Sequence, residues 1–200
     1  CTLSQLVSMK NSEKVALEHG HKLLFIPNIF NYLLTGEVYC DSSIASMTSM
    51  YSIREKGWNK QLLDCFGLPD LLPDTISHSK VVGGITDPEL KEYGVGEIPV
   101  VMVVQHDTTS AFTTISACDE GDTAYISCGT WGIVGAPVNE PIINKQAFDM
   151  GFCNELGYNE QNYLVKNITG LWVMQECVRE WENEGFKVDY EYFDNFTENN

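Results

Sequence analysis

A chain of 200 residues is long enough for one large domain or parts of two, and its 44% hydrophobic and 11% aromatic content marks it as globular rather than disordered. Twelve Lys and Arg against 28 Asp and Glu leave a formal net charge of −16, which argues against nucleic acid and anionic membrane surfaces as partners and favours solubility. No apolar run approaches the roughly 18 residues of a membrane span, and no signal-peptide pattern is present. Seven scattered cysteines, none in CxxC spacing, predict reduced, buried thiols in a cytoplasmic protein rather than a disulfide frame or a metal site. The chain starts at Cys1 and stops in the polar run Asn195 to Asn200. Both ends read as cut, so a piece of a longer protein is expected.

Taken in order, Asn11-Ser12-Glu13 predicts a helix start with Ser12 as cap. His19 and His21 flank Gly20 without a carboxylate or cysteine cluster nearby, so a turn with exposed imidazoles is expected rather than a metal site. Leu23 to Leu34 carry apolar residues at helical spacing, with Pro27 marking a kink or the true start and Gly36 the end. Asp41 to Met50 is dense in hydroxyls and small residues. Two readings stand: a loop entering a closely packed helix, or a polar wall beside a polyol. A short helix over Lys60 to Phe66 stops at Gly67, and another is expected over Pro88 to Tyr93.

The β-branched run Ile98 to Val104 predicts a buried strand that delivers His106-Asp107-Thr108 to the mouth of a helix running through Phe112 and Ile115. The acidic turn Cys118 to Asp122 follows, and the cleanest domain boundary falls at 115–122. Two short β-runs around Gly129-Thr130 predict a hairpin. Ala136 to Tyr158 reads as loop with irregular strand, and Tyr163 to Lys166 as strand. Asn167 to Gly170 reads as a polar turn opening a helix through Trp181, and the aromatic tail has no clear period.

Three features suit phosphoryl transfer. Asp107, at a strand end and helix start, is the candidate base for a substrate hydroxyl, with His106 and Thr108 beside it. The Gly129-Thr130 turn lets backbone N–H groups and a hydroxyl approach phosphate oxygens. Asn167 and Gln175, eight positions apart, are expected on one helical face toward a common cleft. Local sequence alone does not separate these roles from a helix cap at Asp107, an ordinary hairpin turn, or surface residues at 167 and 175.

On these residues the chain resembles the FGGY carbohydrate kinases, and among them the rhamnulokinases. The resemblance rests on Thr2-Leu3-Ser4-Gln5-Leu6, Leu33-Leu34-Thr35-Gly36, Ile98-Pro99-Val100, His106-Asp107-Thr108, Ser127-Cys128-Gly129-Thr130-Trp131, Asn154-Glu155 and Lys166 to Trp172, in order along nearly the whole chain. It implies an α/β fold of the actin-like ATPase (ribonuclease H-like) type, a two-domain sugar kinase present in part. Residues 1–115 would be the back of the sugar-binding domain and 116–200 the start of the nucleotide-binding domain. It further implies ATP-dependent phosphorylation of a ketose, L-rhamnulose first, with ATP and Mg2+ as cofactors and no nucleic acid or membrane partner. Asp107 would be the general base, His106, Asp107, Thr108 and Asn167 the sugar contacts, and Gly129, Thr130 and Gln175 the nucleotide contacts. Cys128, Cys153 and Leu156 depart from the family pattern and bear on sugar identity. The family's N-terminal phosphate loop and C-terminal adenosine motif are not in this sequence, so the 200 residues alone are expected to be inactive.

Overall fold

The computed structural model describes residues 1–96, 98–115 and 123–198. The first part is built from short elements: α1 (Thr2–Ser12), α2 (Lys14–His19), α3 (Ile26–Thr35), β1 (Tyr39–Asp41), α4 (Ser42–Ser46), β2 (Tyr51–Ser52), β3 (Gly57–Trp58), α5 (Lys60–Phe66), β4 (Asp74–Ile76), β5 (Val81–Gly84), α6 (Pro88–Glu92), β6 (Pro99–Val101) and α7 (Asp107–Phe112). Its strands form three two-stranded pairs: β1 with β4 in parallel, β2 with β3 and β5 with β6 antiparallel. The second part holds β7 (Tyr125–Cys128), β8 (Trp131–Val138), α8 (Lys145–Asp149), β9 (Cys153–Leu156), a 3-10 turn at Tyr158–Glu160, β10 (Asn162–Thr169), α9 (Trp172–Asn183) and α10 (Tyr190–Glu198). Its four strands make one antiparallel sheet in the order β7-β8-β10-β9.

Two apolar clusters hold these parts. Leu6, Leu17, Met50, Leu63, Leu68 and Leu72 bring α1, α2 and α5 onto the chain around β2. Phe112, Tyr125, Tyr163 and Val165 form the other, with the Phe112 ring stacked on Tyr125 at 5.0 Å and tilted against Tyr163 at 5.4 Å. Phe112 is the last residue of α7, so this cluster fixes the helix that begins at Asp107 onto the face of the four-stranded sheet.

Several expectations hold. Pro27 sits at the second position of α3, and Gly36 closes that helix with φ 79°. Asn59 caps α5 through the Leu62 N–H, and Gly67 ends it with φ 58°. The hairpin around Gly129-Thr130 is present, with β7 and β8 in register from Tyr125 opposite Gly135 to Cys128 opposite Gly132.

Others are corrected. Ser12 closes α1 instead of capping a helix: its hydroxyl bonds back to the Ser8 carbonyl, and Glu13 precedes α2. The Ile98–Val104 run is not a buried strand. It has three strand residues, with Ile98, Val101 and Val103 exposed and only Met102 and Val104 buried, and among the described residues β6 pairs with β5 alone. Helix α7 stops at Phe112, short of Ile115, and the Cys118–Asp122 turn lies outside the described residues. Asn167 belongs to β10 rather than to a turn, and the stretch Ala136 to Tyr158 holds the expected strand in the rest of β8 and in β9 but also a helix, α8. The tail without a period forms α10. The thiols of the described cysteines are free, yet only Cys40 is buried; Cys1, Cys65, Cys128, Cys153 and Cys177 are exposed, and Cys118 lies outside the described residues. His19 and His21 are exposed as expected. Among the described residues no helix is long and apolar enough to cross a membrane.

Because Phe112 carries the aromatic stack beneath α7, Phe112→Ala should cost about 3–5 kcal/mol of stability, read as a lower urea midpoint.

Candidate active site

The residues preceding Asp107 are anchored from the first part of the chain. Asp41 ends β1 and caps α4, and its side chain is fully buried. Its Oδ2 accepts the Ser43 N–H at 3.0 Å, the Ser43 hydroxyl, and the Gln105 N–H at 3.2 Å. Ser43 Oγ lies 3.2 Å from the Gln105 N–H and 3.1 Å from the His106 N–H, and accepts from both. Asn28, also buried, accepts the Phe25 N–H and donates to Gln105 Oε1 at 2.6 Å, tying the start of α3 to the same segment. Buried polar groups are tolerated when hydrogen-bonded, and here the bonds converge on two successive backbone amides. The hydroxyl-dense stretch is therefore a packed support. Ser46 bonds the Ser43 carbonyl and Thr48 the Ala45 carbonyl, and all but Ser49 of its Ser and Thr residues are buried.

Held in this way, Asp107 opens α7 with a side chain that is 96% exposed. Its Oδ1 accepts the Thr108 N–H at 2.6 Å and the Thr108 hydroxyl at 3.3 Å. The His106 ring beside it is buried. Nε2 lies 3.5 Å from Asp107 Oδ1, and Nδ1 lies 3.2 Å from Glu155 Oε2 on β9. His106, Asp107 and Thr108 are thus gathered at one point, one member open to solvent and two packed.

The second group forms around the β7–β8 hairpin. The Gly129 carbonyl accepts the Leu171 N–H at 2.8 Å, and the Thr130 carbonyl accepts the Trp172 N–H at 3.2 Å. The turn thereby satisfies N–H groups at the start of α9, which have no intrahelical partner. Gly170 makes this approach possible. A Cβ there would stand 2.3 Å from the Gly129 carbonyl oxygen and 2.6 Å from the Gly132 nitrogen. Thr130, Trp131, Thr169 and Trp172 line an open cavity of about 380 Å3.

Asn167 and Gln175 do not share a helical face. Asn167 is exposed on β10, opposite Ile133 of β8, whereas Gln175 lies on α9. Gln175 lines a different cavity of about 330 Å3 with Val178, Val188 and Phe193, between α9 and the chain leading into α10. Among the described residues no group of three His, Cys, Asp or Glu side chains could hold a metal ion.

A family model for the N-terminal domain of the FGGY family of carbohydrate kinases matches residues 1–113. The chain belongs to the FGGY family. Rhamnulokinase from Bacteroides thetaiotaomicron is 31% identical over 186 residues, covering 92% of this chain and 38% of that protein. Rhamnulokinase from Pectobacterium atrosepticum is 34% identical over 180 residues, covering 90% and 35%. This FGGY chain therefore spans well under half the length of those curated relatives. Among solved structures, a ligand-bound xylulose kinase from Lactobacillus acidophilus superposes with a TM-score of 0.74 at 18% identity, over 89% of this chain and 36% of that one. Plasmodium falciparum glycerol kinase with ADP gives 0.74 at 18%, over 94% and 38%. The α/β architecture is accordingly that of the actin-like FGGY sugar kinases, present in part.

His106, Asp107 and Thr108 are legible in the sequence, whereas the supporting parts played by Asp41, Ser43, Gly170 and Glu155 are not. For Asp41-Ser42-Ser43 the signal was there, an Asx cap before a run of small hydroxyls. What it anchors was not visible, because Gln105 lies 64 positions away.

The Cys153 thiol, on the same strand as Glu155, is pushed above its ordinary value of 9.0 by burial first and by the Glu155 charge second, although part of the residue meets solvent. Since the thiolate is the reactive form, alkylation of Cys153 at mildly alkaline pH should lag behind that of glutathione and catch up only as pH rises further. Gly170→Ala should force the hairpin off α9 and cost about 1–3 kcal/mol, with faster amide exchange at Leu171 and Trp172.

Proposed function

We propose that the protein to which this chain belongs transfers the γ-phosphoryl group of ATP to a terminal hydroxyl of a ketose, L-rhamnulose giving L-rhamnulose 1-phosphate. Asp107 is the general base, and the observation that carries the reading is its carboxylate: 96% exposed, at the start of α7, on a backbone clamped by Asp41 and Ser43. The ketose hydroxyl gives its proton to Asp107 as its oxygen attacks the γ-phosphorus. The bond to the β-phosphate oxygen breaks, and ADP leaves. Such a reaction depends on positioning and charge neutralisation more than on covalent chemistry. His106, Thr108 and Asn167 are assigned to the sugar. Gly129, Thr130 and Gln175 are assigned to the nucleotide, and the cavities beside Thr130 and Gln175 support that assignment.

Magnesium is usually bound by one or two carboxylates together with substrate phosphates rather than by an all-protein cage. The absence of a three-residue cluster among the described residues is compatible with an ion that arrives with ATP and neutralises phosphate charge. We read residues 1–115 as the back of the sugar domain and 116–200 as the start of the nucleotide domain, a division supported by the family match over 1–113. The reaction draws on ATP and is assigned to the cytoplasm. Rhamnulose is preferred over L-fuculose or xylulose because the curated relatives at 31% and 34% identity are rhamnulokinases.

A non-catalytic sugar-binding module is the second reading. The bond from the Thr108 N–H to Asp107 Oδ1 favours it, since a purely structural helix aspartate makes the same contact. Asp107→Asn in the intact gene product separates the two. As a base, Asp107 should be worth about 10²–10⁴-fold in kcat, with ketose binding little changed; full activity of the variant would remove it from the mechanism. A ketose panel tests the substrate, and turnover of xylulose without rhamnulose would overturn that choice.

A further inference from the structure

Glu155 is a carboxylate in an unusual place. It lies on β9, opposite Tyr163 of β10, and its side chain is 7% exposed. Its strand is held on both sides. Four register pairs join it to β10, and the next residue, Leu156, donates its N–H to Ser46 Oγ of α4 at 3.0 Å. Burying a carboxylate without a partner is costly. Yet Glu155 Oε2 is a buried oxygen with no hydrogen bond of good geometry among the described residues. His106 Nδ1 is in the same condition, also buried, and stands 3.2 Å away. The two orphans face each other across the junction between β9 and the start of α7. On the other side of the ring, Nε2 points to the exposed Asp107 carboxylate at 3.5 Å.

We propose that Glu155 is a positioning residue for the reaction. It takes the Nδ1–H of His106 and so fixes both the orientation and the tautomer of the imidazole. Which ring nitrogen carries the proton is set by the hydrogen bond the other nitrogen makes. In the tautomer that commits Nδ1–H to Glu155, Nε2 carries the lone pair and lies beside Asp107. His106 then accepts a hydrogen bond from a ketose hydroxyl and does not donate to the ketose carbonyl. The side chain is buried behind the ring, so its influence on the sugar passes through His106. This inference rests on the reading of His106 as a sugar contact.

The test is a double-mutant cycle on the intact gene product with Glu155→Gln, His106→Asn and both together, joined to 15N-histidine NMR. Outer-sphere partners of liganding histidines are worth roughly 10–100-fold. A drop toward the lower end, about tenfold in kcat/KM for the ketose, is expected for Glu155→Gln, with KM for ATP unchanged. In the His106→Asn background the same substitution should change ketose kcat/KM by less than about twofold. The His106 resonances, identified by their loss in His106→Asn, should show protonated Nδ1 in the wild type and lose that signature in Glu155→Gln. Unchanged ketose kinetics, fully multiplicative losses, or an Nε2–H tautomer in the wild type would each overturn the proposal. If Glu155→Gln loses its native far-UV circular dichroism, Glu155→Asp takes its place: withdrawing the carboxylate should abolish the Nδ1–H signature, and its retention counts against the proposal. The NMR arm needs no turnover, so failure of Asp107 as the base would show separately, as an active Asp107→Asn variant with an intact His106 signature.

Discussion

A buried carboxylate is costly unless its charge is compensated, and in Asp41 one oxygen, Oδ2, offsets that cost by gripping the backbone that leads to Asp107. The other oxygen, Oδ1, faces His78 Nδ1 at 3.8 Å without a hydrogen bond among the described residues. Asp41 and Ser43 together hold the amides of Gln105 and His106. Those two amides would otherwise lack partners, because β6 ends at Val101 and α7 begins only at Asp107. The segment between has no ladder and no helix of its own to fix it. What a strand would normally do is done by a carboxylate at the end of β1 and a hydroxyl of α4. The direction in which Asp107 leaves the backbone follows from that anchor.

The same region joins the two parts of the molecule. Ser46 of α4 accepts from Leu156 of β9, His78 Nε2 accepts the Asn159 N–H at 2.6 Å, and His106 faces Glu155. Lys56 pairs with Glu160 further out, where solvent exposure keeps the contribution of an ion pair small. Asp107 projects from this junction with nearly all of its carboxylate open, while the histidine before it is buried. Support lies on one side of the residue pair and free space on the other, the arrangement a group needs if it is to be both precisely placed and accessible to a substrate.

The sequence conveyed local events well. Caps and stops at Asn59, Gly67 and Gly36, the proline at the start of α3 and the hairpin at Gly129-Thr130 are each decided by a few neighbouring residues, so spacing and residue type suffice. It failed where partners are distant. Asn-Ile-Thr-Gly has turn composition, but eight registered pairs between β8 and β10, Asn167 with Ile133 among them, keep Asn167 in the strand. The apolar composition of Ile98–Val104 suggests burial, but only Met102 and Val104 are covered, and β6 pairs with β5 alone among the described residues. Composition suggests buried cysteines, but among the described ones only Cys40 is buried.

By itself the sequence determined the helices at Lys60–Phe66 and Pro88–Glu92, the Gly129-Thr130 hairpin, the family pattern through Gly170-Leu171-Trp172, and the candidate trio His106, Asp107 and Thr108, since these depend on residues adjacent in the chain. Only the tertiary structure decided that Asp41 and Ser43 hold the backbone before Asp107, that Gly170 admits the hairpin onto α9, and that Glu155 stands behind His106. Each of these joins atoms brought together by folding, across gaps of up to 64 positions in the chain, and no local spacing encodes which buried polar group will meet which.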